Sequence, residues 1–105
     1  MTLKIDQSMS DQTTVITVKG EVDLYTSPDL RSAIMEAVSK SEAQVAVDLA
    51  GVEYMDSSGV ATLVEGFKSA HEQSKSFKLV APSESVMKVL QLAKLDGIFE
   101  ISPAP

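Results

Sequence analysis

The segment that decides the fold runs from Val45 to Ala70 and reads VAVDLAGVEYMDSSGVATLVEGFKSA. Its first five residues, Val45–Leu49, are apolar enough to predict a short strand inside a sheet. A polar turn, Asp56–Gly59, then leads into apolar residues at helical spacing, which predict a helix with one buried face. These apolar residues are Val60, Leu63, Val64, Phe67 and Ala70. A strand that passes through a polar turn into a helix is typical of an α/β fold.

Two strands and a helix are predicted before this segment. The segments Leu3–Met9 and Thr14–Val18 are separated by a polar turn, and the second is rich in β-branched residues, so they favour an antiparallel hairpin. Ser27 and Pro28 predict a helix start, because serine caps a helix and proline fits its first turn. Apolar residues then recur at helical spacing to about Lys40.

The remaining elements complete a single domain. A strand is predicted at Phe77–Ala81, and Pro82 and Ser83 open a third helix that ends near Gly97. The predicted extended segment Ile98–Ile101 is followed by a frayed tail at residues 102–105. The expected α/β fold has the order β-β-α-β-α-β-α with a possible final strand. Residues 1–101 then form one domain, with three to four helices covering a mixed sheet of four or five strands.

Composition narrows the function. Nine basic and fifteen acidic residues give a formal net charge of -6, which argues against direct nucleic-acid binding. The chain has no cysteine, so disulfides and thiol chemistry are excluded. The N-terminal residues lack the apolar core of a signal peptide, which predicts a cytoplasmic protein without membrane insertion. No glycine-rich phosphate loop occurs, and no cofactor or metal is expected.

The turn Asp56–Gly59 is the main candidate site. The first N–H groups of a helix lack internal partners, so Asp56 or Ser57 is expected to cap them, while Gly59 allows another backbone to approach closely. Such a helix start also tolerates a phosphate on a serine hydroxyl. From spacing alone, an ordinary capped helix start and a phosphorylation site both stay open.

Other chemistry has little support in the sequence. A nucleophile elbow needs glycine two residues to either side of the serine, but Ser57 has Met55 on one side. The only histidine, His71, lies about 20 Å further along the same predicted helix, so it cannot serve Ser57 as a base. Glu21 and Asp23 have two open interpretations, a cation site and a pair of solvated acids.

The run from Val47 to Val60, VDLAGVEYMDSSGV, resembles the signature of STAS domains, specifically of anti-sigma-factor antagonists. The stretch Gly20–Asp23 and the strand at residues 77–80 also fall where that family has counterparts. The resemblance implies that a serine kinase, which is also the anti-sigma factor, phosphorylates Ser57 and ends binding, and that a serine phosphatase resets the switch. The partner-binding residues it implies are Asp23, Asp56, Ser57, Ser58, Gly59 and Val60, and the two acids are expected to orient the hydroxyl or to add repulsion.

One departure and one alternative accompany this resemblance. The antagonists commonly continue with Leu-Gly after the turn, whereas this chain has Val60 and Ala61. The additional methyl group at position 61 affects how closely a partner packs, so the identity of the partner stays open. Related STAS proteins are subunits of lipid-transporting ABC complexes, and the alternative function is docking on the ATPase subunit of such a complex.

Overall fold

The computed structural model of the chain describes residues 2–103, which form five strands and three helices. The element order, β-β-α-β-α-β-α-β, confirms the predicted order together with its possible final strand. The elements are β1 (Leu3–Ser10), β2 (Thr13–Val22), α1 (Ser27–Lys40), β3 (Gln44–Met55), α2 (Ser57–Glu72), β4 (Ser76–Val80), α3 (Glu84–Leu92) and β5 (Glu100–Ser102).

The five strands form one mixed sheet in the order β1-β2-β3-β4-β5. β1 and β2 pair antiparallel, as the hairpin prediction required, and every later neighbour pairs parallel. Each parallel connection moves one strand in the same direction, so right-handed crossovers place the helices on one face of the sheet. The burial pattern agrees: Ile16 and Val18 of β2 are fully buried, whereas Val15 and Thr17 on the other face are partly exposed.

One hydrophobic core lies between the sheet and the helices. It is mostly aliphatic, with Phe77 and Phe99 as buried aromatic residues. Each helix contributes a fully buried leucine, namely Leu30, Leu63 and Leu90. Among residues 2–103, no helix is both long and apolar enough to cross a membrane.

The third helix is shorter than the sequence predicts, because it ends at Leu92 and not near Gly97. Lys94 adopts a left-handed backbone conformation with φ of 60°. Its N–H donates to the carbonyl of Gln91 at 3.0 Å, and the N–H of Leu95 donates to that of Leu90 at 2.9 Å. This Schellman arrangement closes the helix with a lysine where glycine is usual.

Strands β3 and β5 also differ from their predicted bounds. β3 continues beyond Leu49 to Met55, and two register irregularities let it stay paired with β2. β5 begins at Glu100 and includes Ser102, the first residue of the expected frayed tail. The carbonyl of Ser102 accepts a hydrogen bond from the N–H of Ala81 at 2.6 Å. Pro103 is exposed, and residues 104–105 lie outside the described residues.

Candidate functional site

Asp56 joins β3 to α2 and is the N-cap of the helix. Its backbone is extended, and its Oδ1 accepts a hydrogen bond from the N–H of Ser58 at 2.9 Å. The N–H of Asp56 itself donates to the carbonyl of Val22 at 3.1 Å, which ties the turn to the end of β2. Of the two capping residues that the sequence left open, the structure selects Asp56.

The carboxyl of Asp56 is held in its charged form. The hydroxyl of Ser58 donates to Oδ1 and is the main reason that the pKa of Asp56 lies below its usual value. Backbone N–H groups of Ser58, Gly59 and Leu24 lower this pKa further, whereas partial burial opposes them. The carboxylate is therefore ionised at neutral pH, at the positive end of the α2 dipole.

The two serines of the turn differ in what their hydroxyls do. Ser57 is exposed, and within residues 2–103 its hydroxyl makes no hydrogen bond. Ser58 is partly buried; its hydroxyl donates to Asp56, and its carbonyl accepts from the hydroxyl of Thr62 at 3.0 Å. The Ser57 hydroxyl is therefore free to attack a phosphoryl donor, whereas the Ser58 hydroxyl is engaged by Asp56.

Gly59 and Val60 face the inside of the protein. A Cβ on Gly59 would lie 2.6 Å from Cγ of Met55 and 2.8 Å from Cγ1 of Val22, so the close approach is to the chain's own side chains. Val60 is only 7% exposed and belongs to the core. These two residues position the helix start, and their burial does not support the direct partner contact that the resemblance implies. Ala61, which departs from the family pattern, is exposed one turn after Ser57.

Asp23 organises the loop between β2 and α1. Its carboxylate is nearly buried and accepts hydrogen bonds from the N–H groups of Tyr25 at 2.9 Å and Thr26 at 3.0 Å. The hydroxyl of Thr26 donates to the carbonyl of Glu21 at 2.9 Å. The Oδ1 atom of Asp23 accepts both of these N–H groups within its own loop, so Asp23 shapes the loop beside Asp56.

His71 lies far from the turn. It is exposed near the end of α2, fourteen residues beyond Ser57, which corresponds to about 21 Å along the helix. Its ring stacks against Phe67 with a centroid distance of 6.3 Å. As the sequence indicated, His71 cannot act as a base for Ser57.

Sequence reasoning missed two residues of this region, Leu24 and Tyr25. Both are apolar or aromatic, both are exposed, and both lie in the loop shaped by Asp23. The available signal was the presence of two adjacent large side chains in the mostly polar loop before the first predicted helix.

The fold and the serine turn place this chain in a known class. Residues 5–101 match the family described as "Mlab, STAS domain", so the chain belongs to the STAS domain family.

Curated relatives carry more specific names. The chain is 29% identical to an anti-sigma-B factor antagonist of Bacillus subtilis over 102 residues, which cover 97% of this chain and 93% of the relative. It is 33% identical to an anti-sigma-B factor antagonist of Listeria monocytogenes over 86 residues, 82% of this chain and 75% of the relative. A crystal structure of an anti-sigma factor antagonist from Mycobacterium paratuberculosis superposes with a TM-score of 0.88 at 27% identity, covering 98% of this chain and 87% of that one.

Proposed function

We propose that this chain is an anti-sigma-factor antagonist in a phosphorylation-controlled partner switch. The unphosphorylated form binds an anti-sigma factor through the surface around the Asp56 turn, and the sigma factor is released. The anti-sigma factor is also a serine kinase, which transfers the terminal phosphoryl group of ATP to the Ser57 hydroxyl and so ends binding. A serine phosphatase restores the binding form.

The observation that carries this proposal is the contrast between the two serines. Ser57 offers an exposed, unengaged hydroxyl at the first position of α2, whereas the hydroxyl of Ser58 is used by Asp56. The names of the relatives supply the second support, because they describe antagonists of an anti-sigma factor. They favour this function over docking on a transporter ATPase.

Electrostatics explain how a small modification ends binding. Phosphorylation adds about 1.5 to 2 negative charges at neutral pH. The neighbouring Asp56 is already ionised, so two adjacent residues then carry about 2.5 to 3 negative charges. The fold tolerates this, because Ser57 is exposed at a helix N-terminus. A partner must remove water from the same surface in order to bind, so the added charge prevents its binding.

This function requires no catalytic activity of the chain itself. It needs no cofactor, no direct contact with nucleic acid and no insertion into a membrane. It places the chain in the cytoplasm, where sigma factors direct transcription.

The test uses, as the candidate partner, an anti-sigma factor with serine kinase activity from the same organism. Incubation with that kinase and ATP is expected to give a phosphoryl adduct by mass spectrometry, lost in Ser57→Ala and retained in the matched control Ser58→Ala. Ser57→Asp is expected to lose binding to the kinase. Phosphate that maps to Ser58, or unchanged binding by Ser57→Asp, contradicts the proposal.

A further inference from the structure

The side chains of Leu24 and Tyr25 are exposed to solvent in the described structure. The exposed fractions are 68% for Leu24 and 86% for Tyr25, among the highest of the large apolar or aromatic side chains. Single exposed apolar residues are common, but two adjacent ones at the tip of a short loop form a compact contact surface. Tyrosine is also enriched among residues that dominate binding energy at protein interfaces.

The loop that carries these residues is held in one shape. The Asp23 carboxylate accepts from the backbone of Tyr25 and Thr26, and the N–H of Asp23 donates to the Thr26 hydroxyl at 2.9 Å. The N–H of Ser27 closes the turn by donating to the carbonyl of Asp23 at 2.8 Å. A preordered loop loses little conformational entropy when its side chains are buried by a partner.

This loop adjoins the Ser57 turn. The Asp56 N–H bonds to the carbonyl of Val22, and the N–H of Leu24 faces the Asp56 carboxylate. A partner that covers Ser57 therefore meets the loop tip on the same surface. The segment between Lys19 and Arg31 contains three carboxylates and no basic residue, and the whole chain has a formal net charge of -6. These carboxylates belong to Glu21, Asp23 and Asp29.

We infer that Leu24 and Tyr25 are the apolar anchor by which this chain binds its anti-sigma factor, in an apolar pocket of that partner rimmed by basic residues. The inference rests on the proposed function and adds the contact that supplies most of the affinity. It also explains why phosphorylation ends binding. The charged phosphate on Ser57 stays hydrated, whereas the neighbouring Leu24 and Tyr25 side chains must lose their water to enter the partner's pocket.

The test measures binding kinetics with the kinase that phosphorylates Ser57 in the experiment above. Tyr25→Ala and Leu24→Ala are each expected to weaken binding by about tenfold or more, mainly through faster dissociation. The control Met9→Ala removes a side chain that is 63% exposed at the opposite end of the sheet, and it is expected to stay within about twofold of wild type. Added salt is expected to slow association of the wild type, because the rim contact is electrostatic.

The outcomes separate the two proposals. Thermal unfolding midpoints of the variants should match wild type, because both side chains are exposed. If Tyr25→Ala and Leu24→Ala both bind the kinase with an affinity within about twofold of the wild type, the anchor is overturned and the proposed function is left intact. Failure of the wild-type chain to bind or to be phosphorylated overturns the proposed function and the anchor together.

Discussion

Replacing Asp56 by asparagine separates the charge of the α2 cap from its hydrogen bonds. Asparagine and aspartate are about equally good N-caps, so Asp56→Asn keeps an acceptor for the Ser58 N–H and hydroxyl and removes only the charge. A charge at a helix N-terminus contributes about 0.3 to 1 kcal/mol. Asp56→Asn is therefore expected to lower the free energy of unfolding by that amount at neutral pH. Asp56→Ala also loses the cap, for a total of about 1 to 2 kcal/mol.

The pH dependence of this difference has a definite sign. The pKa of Asp56 is lower in the folded protein than in the unfolded chain, so the folded state binds fewer protons there. Its contribution to stability is present above the unfolded pKa, about 3.9, and is lost as the pH falls through the lower folded value. The difference in free energy of unfolding between wild type and Asp56→Asn should therefore vanish on acidification. The difference from Asp56→Ala should only become smaller, because alanine also lacks the cap.

Urea unfolding followed by far-ultraviolet circular dichroism, repeated from neutral to acidic pH, measures these differences. Asp6→Asn supplies a matched control on the exposed edge strand, and it is expected to change stability by less than about 0.5 kcal/mol at neutral pH. A gap between wild type and Asp56→Asn that stays constant down to the acid limit would refute the reasoning, because the lost charge would then not be its cause.

Three further substitutions test the close packing at Gly59, the end of α3 and a surface ion pair. Gly59→Ala places a Cβ 2.6 Å from the Met55 side chain and is expected to destabilise the fold by about 1 to 3 kcal/mol; an unchanged urea midpoint would contradict this. Lys94→Gly relieves a left-handed lysine at the end of α3, and the expected gain of about 0.5 to 1 kcal/mol should appear as a higher thermal midpoint. Arg31→Ala breaks an ion pair with Glu65 whose side chains are 54% and 45% exposed. Because exposed pairs contribute little, the free energy of unfolding measured in urea is expected to fall by less than about 1 kcal/mol, and a larger fall would contradict this.

Local patterns explain why much of the fold was predictable. The hairpin and α2 follow from alternation and helical spacing, which depend only on neighbouring residues. The end of α3 could not be predicted in this way. Gly97 is the stronger stop signal in the sequence, but the helix ends at Leu92 and the chain reverses at Lys94. The length of β3 was also missed, since pairing with β2 past two irregularities is a property of the assembled sheet.

At the candidate site, the sequence by itself determined that a serine pair follows an aspartate at a helix start. Motif resemblance supplied the preference for Ser57 and a set of partner-binding residues, but it could not say which of these residues are exposed. Only the tertiary structure decided that Asp56 is the cap, that Ser58 is engaged, and that Val60 is in the core. The physical reason is that helical spacing sets which residues can share a face, whereas exposure and hydrogen bonding depend on how β2, β3 and α2 meet.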